Sequence, residues 1–138
     1  MAKARAETTI AKPADEVWGR IRDFVDVSWI PNTESSWMEG DERHVKMQSM
    51  STEVVQRLVD HDDEGRTYSY GLPRPIDLES ILGPGHVVEK IDATITVTPS
   101  GDSESYVTYD VDTEDFMVDH VHEEYQGALD NLKALLEG

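Results

Sequence analysis

The sequence predicts an α+β domain: a strongly curved antiparallel sheet of about seven strands wrapped around one long C-terminal helix, with two short helices after the first strand. Three observations predict it. From about residue 33 to residue 115 apolar side chains recur at every second position, the period of strands covered on one face. Residues 116–138, FMVDHVHEEYQGALDNLKALLEG, instead space Val118, Val121, Tyr125, Leu129, Leu132 and Leu136 by three or four. Met117, Ala128 and Leu135 widen that stripe, and Asp119, Glu123, Asp130 and Lys133 take the opposite arc. One apolar sheet face and one apolar helix face are each other's natural cover.

The elements follow in order. Arg5 to Lys12 is rich enough in β-branched residues for a strand and ends before Pro13, which suits a first helical position. Asp15 and Glu16 fall in the first turn, and Val17, Trp18, Ile21, Phe24 and Val25 keep helical spacing. A second short helix is predicted over Val25 to Trp29, stopping before Pro31. Ser36–Glu39 and Arg43–Met50 read as strands joined at Gly40-Asp41. Thr52–Asp60 is the next, ending in the turn Asp62-Asp63-Glu64-Gly65, and Arg66–Leu72 follows. Residues 73–86, PRPIDLESILGPGH, hold three prolines and two glycines and read as a long loop. Val88–Thr98 and Ser105–Thr113 form a hairpin about Pro99-Ser100-Gly101-Asp102. Thr113 or Asp115 could cap the last helix.

Composition narrows the function. The chain of 138 residues makes one domain. It has no cysteine, which excludes disulfides, thiolate zinc sites and thiol nucleophiles. A net charge of −17 argues against nucleic acid and anionic membranes, both of which are bound through basic patches. An acidic, solvated surface, adaptation to salt and docking of a basic partner all fit that charge. No N-terminal leader pattern and no apolar stretch of bilayer length stand out, so a cytoplasmic protein without membrane insertion is expected. It would be a monomer or weak homodimer with no cofactor.

The order of elements and several short motifs carry a resemblance. They are PADEVWGRIRDF at 13–24, Trp29 with Pro31, and Gly40 followed by Arg43. QRLVDHDD at 56–63, Tyr68-x-Tyr70, IDATITVTPSGD at 91–102 and the closing LKALL complete the set. The chain resembles the polyketide cyclase/dehydrase branch of the START-like (SRPBCC) superfamily, which has the helix-grip fold of the birch-pollen allergen. The resemblance covers almost the whole chain. It implies binding of apolar or aromatic small molecules between the sheet and the last helix. The loop at 72–86 departs from the family pattern by its length.

In a meander, successive turns lie at alternate ends of the sheet. The connections near 48–52, 72–86 and 113–117 therefore share the end where the last helix begins, and the cavity mouth is expected there. Alternation puts Met47, Gln56, Tyr68, Tyr70, Ile91, Ala93 and Tyr109 on the concave face, together with Val45, Val54 and Leu58. Val118, Val121 and Tyr125 face them from the helix. An apolar wall with a few polar points is the chemistry of a small-molecule site, although the tyrosines would equally fill a solid core. His86 either touches ligand, as the equivalent place does in related plant hormone receptors, or anchors the loop.

Other chemistries fail on spacing. His120 and His122 face different ways on a helix and cannot chelate one metal. The acids from Asp110 to Asp119 lack calcium-loop spacing, Gly83-Pro84-Gly85 is no phosphate cradle, and there is no Gly-x-Ser-x-Gly elbow. No metal site is expected. Binding of a small hydrophobic or aromatic molecule (lipid, polyketide or similar metabolite) is the first reading. A cyclase or dehydratase in which Tyr, Arg43 or His86 moves protons in the same pocket is the alternative. A protein-interaction module acting through the acidic surface is the third.

Overall fold

The computed structural model describes residues 2–48 and 53–138. Its elements are β1 (Ala2–Ile10), α1 (Ala14–Ile21), β2 (Thr33–Glu39), β3 (Glu42–Met47), β4 (Glu53–Asp62) and β5 (Thr67–Gly71). A two-stranded excursion follows, β6 (Ile76–Asp77), α2 (Glu79–Leu82) and β7 (Val87–Val88). The chain closes with β8 (Ile91–Pro99), β9 (Ser105–Thr113) and α3 (Val118–Glu137). The seven long strands form one antiparallel sheet in the order β1-β9-β8-β5-β4-β3-β2. α3 lies along β1 and β9 on the concave face, as a helix-grip fold requires.

The alternating residues that predicted the sheet are the ones it buries. Val107, Tyr109 and Val111 of β9 and Ala93, Ile95 and Val97 of β8 are at most 4% exposed. All but Val111 join Ile10, Val17, Ile21 and Trp29 with Leu129 and Leu132 of α3 in one cluster. Each fully buried aliphatic side chain of this kind stabilises the fold by about 1.5–3 kcal/mol relative to exposure.

α3 also bonds to the backbone of β1, which ends the sheet. The Nε2–H groups of His122 and Gln126 donate to the carbonyls of Arg5 (3.1 Å) and Glu7 (3.0 Å). Gln126 Oε1 accepts from the Glu7 amide at 3.2 Å. Lys133 Nζ donates to Thr9 O at 2.6 Å, and Glu137 Oε2 accepts from the Ala11 amide at 2.8 Å. One helix face thus serves the outward backbone groups of alternate β1 residues, which have no strand beside them.

Several local expectations are corrected. The second short helix over Val25 to Trp29 is instead two successive turns, closed by Asp26 N–H to Asp23 O (3.0 Å) and Ile30 N–H to Val27 O (2.9 Å). Asp23 Oδ1 and Asp26 Oδ1 accept from the backbone of Val25 and Ser28, local bonds that compete with a helix. Neither Thr113 nor Asp115 is the N-cap of α3; Met117 is, without a side-chain bond. Val88 does not begin the long strand but pairs with Ile76, because the amides of Glu89 and Lys90 both turn onto Glu114 Oε1 (2.6 and 2.8 Å). β4 runs on to Asp62 through a bulge that skips Val59, 71% exposed, and so brings His61 onto the concave side opposite Tyr68. The expected strand end at Met50 and strand start at Thr52 lie outside the described residues.

Candidate ligand cavity

Between the first half of α3 and the sheet lies a cavity of about 470 Å³. Strands β3 and β4 supply Val45, Met47, Val54 and Gln56, and Tyr70, Ile91 and Tyr109 come from β5, β8 and β9. The turn after α1 adds Val27 and Ile30, and the excursion between β5 and β8 adds Ile76, Leu78 and Val88. α3 closes it with Met117, Val121, Tyr125 and Ala128. The long loop is therefore wall, held by Leu78 N–H to His86 O at 2.9 Å.

Besides Asn32 and Thr33 and, on α3, His120, Glu123 and Glu124, two polar features stand in this lining. The first is Arg43, only 1% exposed and yet part of the wall. Its Nε donates to Gln56 Oε1 at 3.0 Å and its Nη2 donates to the same oxygen, while Nη1 donates to Phe24 O at 2.6 Å. The guanidinium carbon lies 4.1 Å from the Phe24 ring centre and 5.1 Å from that of Tyr70, within cation–π range of both. The second is a set of three phenols. Tyr70 and Tyr109 hydroxyls meet in a short hydrogen bond, and Tyr70 donates to the Tyr125 hydroxyl at 3.2 Å. Tyr109 and Tyr125 also stack with ring centres 4.1 Å apart.

Burial raises the pKa of Tyr109 and Tyr125 well above 10.0, and the positive charge of Arg43 opposes the shift at both. These phenols are neutral proton donors near neutral pH. At the rim, partial burial raises the pKa of the Glu124 carboxyl, against His120 3.8 Å away. Asp63, outside the cavity, is held at about 2 by hydrogen bonds from Arg22 and from the Trp18 indole. Among the described residues, no group of three or more His, Asp or Glu side chains is placed to hold a metal.

The candidate residues from the sequence separate into two sets. Met47, Gln56, Tyr70, Ile91, Tyr109, Val121 and Tyr125 come together on the cavity wall. Tyr68, Ala93, Val118 and His86 stand off it. Tyr68 packs against Trp18, Phe24 and a parallel His61 ring, at 5.7–6.0 Å between centres. Ala93 is core, paired with Tyr70 across the strands, and Val118 is half-buried at the start of α3. His86 donates from Nδ1 to Gly83 O at 2.8 Å and sets its ring edge-on to Phe116, a loop anchor. Arg43 was legible as inward-facing, since it keeps parity with Val45 and Met47. Val27 and Ile30 had no such signal, because turns carry no period.

A comparison with curated proteins finds no match. Solved structures match over nearly the full chain. An uncharacterised protein of Bacillus thuringiensis superposes with a TM-score of 0.82 at 22% identity, covering 99% of this chain and 100% of that one. A START superfamily protein of Mycobacterium smegmatis gives 0.75 at 11%, covering 98% and 97%. Norcoclaurine synthase of Thalictrum flavum, solved with dopamine and hydroxybenzaldehyde, gives 0.70 at 16%, covering 99% and 86%. At these identities the similarity establishes the fold. The model of the family described as polyketide cyclase / dehydrase and lipid transport matches residues 1–137, and the chain belongs to that family.

Proposed function

We propose that the protein binds a small hydrophobic or aromatic molecule in the cavity beneath the first half of α3. The observation that carries this reading is the cavity itself: about 470 Å³, mainly apolar in lining, with a few convergent polar groups. Close-packed protein interiors rarely leave such a space unfilled, and a void costs stability through the contacts its walls forgo. The net charge of −17 fits a protein that works without nucleic acid, and among the described residues no helix is long and apolar enough to cross a membrane. A cytoplasmic monomer or weak homodimer with no cofactor is the setting in which we place it.

The test is a thermal-shift screen of lipids, aromatic acids, phenols and polycyclic compounds against the wild type and Val121→Trp, whose indole would occupy the space. A binder held at about a hundredfold its Kd stabilises the native state by about 2.7 kcal/mol, which raises Tm by several degrees. That rise should vanish in Val121→Trp with the fold retained. No shift from any class, together with a Val121→Trp variant that unfolds as an overpacked core would, overturns the reading.

A cyclase or dehydratase acting in the same space is favoured by one observation, the hydrogen-bonded tyrosine cluster beside a buried cation. Such phenols can donate a proton to a developing oxyanion. Tyr125→Phe separates the two readings: turnover of a reactive poly-carbonyl chain would fall well below its binding loss if the phenol moves a proton.

A further inference from the structure

Six of the seven arginines meet a carboxylate on the surface. The pairs are Arg5–Asp110, Arg20–Asp26, Arg22–Asp63, Arg57–Glu42, Arg66–Asp15 and Arg74–Glu42, at 2.6–3.4 Å. Each of these arginines keeps at least 26% of its side chain exposed. Arg43 differs on both counts. It is 1% exposed, and among the described residues no carboxylate oxygen lies within 4.0 Å of it. In a chain with 29 acidic residues, the cation for which a carboxylate matters most has none among the described residues.

What surrounds Arg43 is dipolar only. One amide oxygen, one backbone carbonyl, the Tyr68 hydroxyl and two ring faces offset part of a full charge. The phenols beside it add a proton. Tyr70 uses its single proton on Tyr125, so in the short contact Tyr109 must donate to Tyr70. The Tyr125 proton is then free for another acceptor, on a half-buried side chain that lines the cavity. This end of the cavity offers a cation and an O–H donor, whereas the acidic Glu123 and Glu124 that also line the cavity are exposed side chains of α3.

We infer that the ligand is an organic acid: an apolar or aromatic body filling the cavity, with a carboxylate that supplies the missing negative charge at Arg43 and accepts from Tyr125. This rests on the cavity being a ligand site and names the class of molecule it takes. The carboxylate does for the buried arginine what Asp and Glu do for the surface ones. The overall charge of −17 repels anions at long range, so any preference for the acid has to arise at contact.

Matched probes test it by titration calorimetry near neutral pH, where a carboxylic acid is ionised. The probes are naphthalene-2-carboxylate against naphthalene-2-carboxamide, and dodecanoate against dodecanol. Wild type should hold each acid at least about tenfold more tightly than its neutral partner, as charge-assisted bonds exceed neutral ones. Arg43→Met should bring that ratio to about one. Gln56→Glu is the second variant: it keeps Arg43 in place and gives it a carboxylate from within, so the ratio should also fall to about one. Equal binding of acid and neutral probe by wild type, or an acid preference that survives Gln56→Glu, overturns the inference and leaves the cavity reading standing. Failure of all four probes to bind wild type overturns both.

Discussion

Beneath the second half of α3, Leu129 and Leu132 are fully buried in a cluster with Ile10, Val17, Ile21 and Trp29. Beneath the first half, Val121 and Tyr125 face Val45, Val54 and Tyr70 across an open space. One helix and one sheet bound both regions, so the difference lies in what covers the gap between them. At the filled end, α1 sends Val17, Trp18 and Ile21 into it as a regular apolar face. At the hollow end the cover is made of turns and the short β6–β7 excursion, which reach it only with isolated side chains such as Val27, Ile30 and Leu78. Stability and ligand space are thereby assigned to different parts of the chain, and substitutions should act on them separately.

The harshest way to break that division is Leu132→Asp, which puts an unpaired charge in the filled end and should abolish cooperative folding, read as loss of the near-ultraviolet dichroism. A folded variant would mean that the end is not solid. Milder truncation sharpens the contrast. Leu132→Ala should cost about 2–5 kcal/mol in denaturant unfolding, while Val121→Ala, already beside a void, should cost about 1 kcal/mol or less. Equal losses would erase the distinction between the halves.

The two ends also differ in how they answer to pH. In the hollow end, Tyr109 and Tyr125 ionise far above 10.0 when folded, whereas an unfolded tyrosine ionises near that value. Above it the unfolded state sheds protons first, so stability falls as pH rises past 10.0. Tyr109→Phe should make that alkaline loss shallower in melts taken across the range; an unchanged slope would remove Tyr109 from the account. The smallest effect belongs to the filled end. Asp63 ionises at about 2 folded against 3.8 ordinarily, so its contribution is complete above 3.8 and is lost as pH falls toward about 2. Asp63→Asn should flatten this acid limb slightly, because the carboxylate and its Arg22 partner are about half exposed.

What the sequence disclosed follows from how local each signal is. The stripe from Val118 to Leu136 and the alternation through β8 and β9 are properties of short windows, and they placed the helix and the concave face. The spacing of Trp18, Ile21 and Val25 continues past the point where Asp23 and Asp26 fold back on their own backbone, so periodicity extended a helix that side-chain bonding ends. The bulge at Val59 left no trace in the alternation because a bulge depends on the partner strand, which no window contains. Tyr68 fell on the correct face yet away from the cavity, since alternation gives the side of a sheet but not the distance along it. Gln126, Lys133 and Glu137 carry no apolar signal at all, and their part in bonding β1 depends on the docked helix.

That last row of contacts bears on how copies of the domain meet. A sheet with two free edges can recruit a strand on either side, and chains that do so at both sides grow without limit. Here the carbonyls of Arg5, Glu7 and Thr9 and the amides of Glu7 and Ala11 are already engaged by α3, which leaves β2 as the other end of the sheet. Strand addition through β2 alone stops at a pair. The helix that grips the sheet therefore also acts as a chain terminator against fibrous polymerisation.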